Sequence, residues 1–375
     1  MQSTTALLPQ KRERNYGIDL LRVVSMIMVA ILHILKQGGI LRNLEPFSSS
    51  YYIAWFLEVA SYCAVNCYAL ISGYVGVGTR FKYTNIVYIW LQVVAYNVSL
   101  AFAAAILHPN IGKAEVVDAF FPVSNRAYWY FTAYFCIYFL IPIFNKAIEM
   151  LSQKQLKAVG IAMVVMFTVL PLLAEKDSFN TVGGYSPIWL AVLYIFGGIM
   201  KKCKLFEKTK AYILLLMYFL CVIISWLQKM YVEYHNMNFP DAEEMKALLV
   251  EYTSPTILFA AVFLVAAFSK IKTGKTSSKI ITVFSSVSFG VYLIHVQPQV
   301  WQKIIKDMFV DYADFGALKL AISVILTAFA IYLICGAIDF IREKIFSLLR
   351  IKKLLIAAEK KLFKDLWSED SPKSN

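Results

Sequence analysis

Ionisable side chains stand inside long apolar runs, among them Asp19, Arg22, His33, Glu58 and His295. A charge in hydrocarbon is costly, so each is a candidate functional group. Arg22 and His33 are eleven residues apart on one predicted helix. That spacing is close to three turns and roughly 16 Å, so the two share a face at different depths. A neutral imidazole accepts a proton readily, which makes His33 a candidate general base; the other reading is a packing contact between helices. His295 ends the run Ser288-Phe-Gly-Val-Tyr-Leu-Ile-His295 and counts to a similar depth, either beside His33 or as an interfacial histidine next to Tyr292. Glu58 lies about two turns into the second run, again near that depth, where a carboxylate orients an imidazole or stays protonated and structural.

Anion chemistry falls at the opposite end. Gly76-Val-Gly-Thr-Arg80-Phe-Lys82 is a glycine-containing basic loop, and with Arg22 it offers backbone N–H groups and cationic side chains to phosphates. Trp129 and Tyr130 open the fourth apolar run as an aromatic belt or as the mouth of a cavity, and Asn66 joins them as a candidate substrate contact, although small polar residues in such runs also pack helices. The six cysteines form no CxxC pair and five lie in apolar runs, so they read as small core residues and not as a zinc or disulfide framework. Phosphate-loop, GxSxG and HExxH signatures are absent.

The elements that must hold these groups follow from composition. Of the 375 residues, 59% are hydrophobic and 16% charged, which departs from soluble chains in both directions. Apolar runs lie near 16–36, 52–75, 84–107, 128–145, 157–174, 187–200, 211–231, 254–269, 280–298 and 317–340. They predict an all-α polytopic membrane protein with ten transmembrane helices. Period-two alternation is missing, which excludes an outer-membrane barrel. The first run is too long for a signal-peptide core and reads as an uncleaved span.

The net charge of +13 sits in short loops between the runs, which points to membrane topology and not to nucleic acid. With the N-terminus inside, the alternate inner segments hold 26 Lys and Arg against ten in the outer ones. Both termini are therefore expected in the cytoplasm. The expected organisation is a cytoplasmic tail over 1–15, a ten-span domain over 16–340 and a basic amphipathic tail over 341–375. Apolar and basic residues alternate at helical spacing over 341–367, as in a helix lying on the lipids of the inner leaflet.

Four segments in order carry a resemblance to a family: Tyr16-Gly-Ile-Asp-Leu-Leu-Arg22 with His33 eleven residues on; Val65-Asn-Cys-Tyr-Ala-Leu-Ile-Ser-Gly-Tyr74; Trp129-Tyr-Phe-Thr-Ala-Tyr134 through Pro142; and Ser288 to His295. Together they resemble the acyltransferase-3 family, integral membrane enzymes that O-acylate bacterial surface glycans, over residues 11 to about 340. The resemblance implies an acyltransferase of the bacterial cytoplasmic membrane. Its donor would be cytoplasmic acetyl-CoA or another acyl-CoA, bound through Arg22, Arg80 and Lys82, with no tightly held cofactor. Its acceptor would be a hydroxyl of a surface glycan or lipid-linked sugar beside His33, Glu58, His295, Asn66, Trp129 and Tyr130. Direct attack on the thioester and a covalent acyl-enzyme both remain open at this stage. A continuous tunnel from Arg22 to His33 is expected.

The competing class is a multi-span transporter or flippase. Against it stand the absence of an inverted repeat, of Gly/Pro-broken runs in matching halves, and of many buried acids. The charge count itself is testable: reporter fusions after Lys176 and after Lys208 should report opposite sides of the membrane. The same side for both would undo the alternation between the fifth and sixth runs.

Overall fold

The computed structural model describes residues 14–79, 81–107 and 117–363. Among them the chain is helical, with no strand. The longer helices are α1 (Tyr16–Lys36), α2 (Ser49–Tyr62), α3 (Ala64–Gly76), α4 (Tyr83–Leu107), α5 (Trp129–Tyr138), α6 (Ile141–Met150), α7 (Gln153–Val164), α8 (Pro187–Lys202), α9 (Ala211–Asn238), α10 (Pro255–Phe268), α11 (Lys275–His295), α12 (Ala317–Leu348) and α13 (Ile351–Leu362).

Their starts are written in cap residues. Asn15, Ser48, Ser186 and Ser254 each accept a hydrogen bond from the backbone N–H three residues on, and Ser152 forms a reciprocal capping box with Gln155. Pro187 and Pro255 occupy the first turn, where a missing N–H costs nothing. Proline also explains two distortions. α5 and α6 meet at 58° next to Pro142, and α7 continues through a π-helical turn, Val165–Val169, just before Pro171.

Every apolar run is helical, but length separates them. Seven helices, with α2 and α3 taken together, are long and apolar enough to cross a membrane, or eight if the bent α5–α6 pair is one span. The expected ten is not reached, because α8 has 16 residues and α10 has 14. At 1.5 Å per residue they reach about 24 and 21 Å, short of a 30 Å hydrocarbon core. The reason lies in their place in the bundle. From Ile257 to Ala267 all but one side chain of α10 is buried, and most of α8 is too, so both are wrapped by protein.

α1 stands at the centre, packed on α2, α3, α10, α11 and α12, with Asn15 also donating to the Ser269 carbonyl past the end of α10 (2.8 Å). The closest approach is between α3 and α8. A Cβ on Gly73 would lie 1.8 Å from the Tyr194 carbonyl oxygen, and one on Gly197 would lie 2.1 Å from that of Leu70. Only glycine lets the two backbones meet there. Two buried carboxylates are paired. Asp19 takes Arg14 and Arg22, and Asp339 on α12 takes Arg342 (2.8 Å) together with Gln92 (3.0 Å) and Tyr96 (2.7 Å) of α4. Stripping the partner from such a carboxylate costs about 3–5 kcal/mol; Gln92 and Tyr96 also tie Asp339 of α12 to α4, whereas Asp19 pairs within the start of α1.

One boundary differs from expectation. Residues 341–348 belong to α12, and Arg350 adopts φ 54°, which turns the chain into the separate helix α13. A left-handed residue breaks the helix that the periodic pattern alone reads as continuous.

The α3–α8 contact gives a direct test. Gly73→Ala should destabilise the folded protein by about 1–3 kcal/mol, read as a lowered Tm in detergent. Gly274→Ala, with open space around it, should leave the Tm nearly unchanged.

Candidate active site

α1 and α11 bring two histidines into contact. His33 Nδ1 lies 2.9 Å from His295 Nε2, and His295 Nδ1 lies 2.6 Å from the Val291 carbonyl oxygen one turn back on α11. A carbonyl only accepts, so Nδ1 of His295 carries the hydrogen. For two neutral rings the rest is forced. His295 Nε2 accepts from His33 Nδ1–H, and His33 Nε2 keeps its lone pair. Trp301 meets the other side of the His33 ring edge-on, with centroids 4.7 Å apart. His33 is thus oriented on both sides, as a base must be.

His33 opens into a cavity of about 430 Å³ that also contains Glu58, Lys36 and Trp129. His295 is 1% exposed and sits behind His33, off the cavity wall. Glu58 is buried, and its Oε2 has no hydrogen-bond partner among the described residues. The wall opposite is aromatic. Tyr185 packs against Trp129 (4.6 Å) and Tyr252 (5.0 Å), and Tyr62 against Tyr252 (4.7 Å).

Asn66 does not reach this cavity. It is fully buried, donates to the Tyr252 carbonyl (2.8 Å) and accepts from Trp189 Nε1 (3.1 Å), so it braces the segment that carries Tyr252. Tyr130 lies deeper than Trp129, at a void of about 50 Å³ bordered by Tyr68 and His33.

Arg22 faces a second, larger cavity of about 570 Å³, with Lys82, Thr84, Asn85 and Lys352. A third space, of about 290 Å³, lies on the other side of Arg22 and adds Arg14 and Lys201. Asp19 fixes the Arg22 guanidinium between them. Asn145, on the wall of the 570 Å³ cavity, donates to the Gly76 carbonyl (3.2 Å) and accepts from Tyr194 (2.9 Å), which secures the basic loop. Arg80 lies outside the described residues.

The expected continuous tunnel is not open. The cavities of Arg22 and His33 share no lining residue, and Tyr68, Tyr130 and Tyr134 stand between them. Tyr130 and Tyr134 stack with parallel rings, and Tyr68 donates to the Arg22 carbonyl (2.5 Å). Large aromatic side chains one turn apart on α5 fill the space that a count of helical depth leaves blank.

Sequence spacing finds His33, His295, Glu58 and Arg22, because all four lie on predicted helices. It misses Tyr62, Tyr185, Tyr252, Trp301 and Lys352. Of these, Trp301 had a usable signal in its position six residues after His295.

The bundle, with seven or eight helices long and apolar enough to cross a membrane, is that of a polytopic membrane protein. The family model for the acyltransferase domain, Acyl_transf_3, matches residues 15–339, and the chain belongs to that family. Among curated proteins and among solved structures, nothing matches the chain.

Proposed function

We propose that the protein moves a short acyl group, acetyl in the first instance, from cytoplasmic acyl-CoA to a hydroxyl of a surface glycan or lipid-linked sugar, across a bacterial cytoplasmic membrane. The observation that carries the reading is the relay from the Val291 carbonyl through His295 to His33, which leaves His33 Nε2 free at the wall of an aromatic cavity.

In this mechanism the acceptor hydroxyl gives its proton to His33 Nε2 as its oxygen attacks the thioester carbonyl. The ester C–O bond forms, the C–S bond breaks, and the imidazolium returns the proton to the departing thiolate. His295 accepts from His33 Nδ1–H throughout and holds the ring in place. Glu58, whose Oε2 has no hydrogen-bond partner among the described residues, lines the same cavity beside Lys36. Tyr185, Tyr252 and Trp129 offer flat apolar surfaces to the C–H faces of a sugar ring.

The donor belongs in the cavity of Arg22. Its lining contains three cations, Arg22, Lys82 and Lys352, and no carboxylate among the described residues. Such a cavity attracts a polyphosphate, and the planar fork of Arg suits it in particular. An excess of basic residues in alternate loops supports a cytoplasmic position for this side, where acyl-CoA is made. The thioester then meets His33 when the Tyr68–Tyr130–Tyr134 cluster parts to admit the acyl-bearing arm.

His33→Ala should lower acyl transfer by about 10²–10⁴, with unchanged membrane insertion. Turnover near that of the wild type would remove His33 from the role of base. Arg22→Ala should chiefly raise the KM for acyl-CoA; a normal KM would leave Arg22 as the structural partner of Asp19.

A further inference from the structure

Helix α13 begins twelve residues past the end of the family match, at Ile351, yet it forms part of the wall of the Arg22 cavity. Two contacts hold it there. Glu359 accepts from the backbone N–H of Tyr83 (2.7 Å) and of Thr84 (3.3 Å), and from the Thr84 hydroxyl. These N–H groups open α4, where the helix dipole favours a negative charge. Beyond the helix, Phe363 stacks on Tyr83 with centroids 4.6 Å apart and rings 23° from parallel.

So anchored, α13 turns Lys352 and Ile356 to the cavity. They are four residues apart and share a face. Glu359 lies three residues past Ile356, close to the same face, so one stripe of the helix carries both the anchor and the cation. Thr84 belongs to both arrangements, since it binds Glu359 and lines the cavity. Lys360 is exposed and lies off the cavity wall.

We infer that α13 is a wall of the donor site, with Lys352 binding the phosphates of acyl-CoA and Glu359 positioning it. The inference rests on the proposed donor and adds to it a segment outside the matched family domain. A lysine ammonium lining the same cavity as Arg22 and Lys82, with no carboxylate among the described lining residues, has phosphates as its natural counter-charge. Glu359 acts at a distance by fixing the angle of the helix.

The test is coenzyme A binding to the full-length protein in lipid nanodiscs, measured calorimetrically, with steady-state acyl transfer from acetyl-CoA alongside. Lys352→Ala should raise the Kd for coenzyme A about tenfold and the KM similarly, with kcat nearly unchanged. Lys352→Arg should keep wild-type affinity, and Lys360→Ala should behave as wild type. Glu359→Gln should also weaken binding, and the double variant should bind no worse than Lys352→Ala, because both act through one ammonium. Unchanged affinity in Lys352→Ala, or an equal loss in Lys360→Ala, would overturn the role of Lys352 while leaving the donor assignment intact. A wild-type protein that binds no coenzyme A would overturn the donor assignment, and this inference with it.

Discussion

The contact between His33 and His295 is the constraint on which the arrangement depends. Two imidazoles at hydrogen-bond distance inside a helical bundle must agree on which one donates. The Val291 carbonyl decides it, because that oxygen can only accept. Turning the His295 ring over would leave its N–H without the carbonyl and His33 without a defined tautomer. The helices bear the cost of this precision. α1 must lie against α11 at a fixed rotation; α12 packs on both, while α3 and α10 flank α1.

The rest of the fold supplies that rigidity. Lipid exerts little drive for apolar helices to associate with each other, so close approach and buried polar contacts decide the packing. Gly73 and Gly197 bring α3 and α8 into backbone contact, and Asp339 joins α12 to α4 through Arg342, Gln92 and Tyr96. Asp19 pairs within the start of α1 and holds Arg22 between two basic cavities. Between this basic end and the histidines stands the tyrosine cluster of α3 and α5. Two separate chambers with one aromatic partition suit a reaction whose reactants come from opposite sides, as proposed above.

Much of the histidine pair was legible in the sequence. A helix has a fixed rise and twist, so Arg22, His33 and His295 were assigned depth and facing by counting, and the described contacts agree with that count. Glu58 was found the same way. The cavity's aromatic wall was not legible, because Tyr185, Tyr252 and Trp301 lie outside the long helices, where no periodicity predicts direction. Asn66 carried an ambiguous signal. A polar residue in an apolar run serves either substrate or packing, and here both ends of its amide are used within the protein. Seven or eight of the ten expected spans have helices long enough to cross, and the other two, α8 and α10, are short apolar helices largely covered by protein. Lys352 was hidden by its own sequence context, a basic run that reads as a lipid-facing tail until Glu359 is seen to pin it on α4.

The most direct measurement of the central claim is the protonation pattern of the two rings. Nitrogen-15 NMR of histidine-labelled protein, with His108 and His235 replaced by Gln, isolates the pair. The account predicts two neutral rings, each carrying its hydrogen on Nδ1, with Nε2 of His33 bare and Nε2 of His295 accepting a hydrogen bond. A hydrogen on Nε2 of His33, or a His295 protonated at both nitrogens, would contradict it, since His33 would then have no lone pair to offer at the cavity wall.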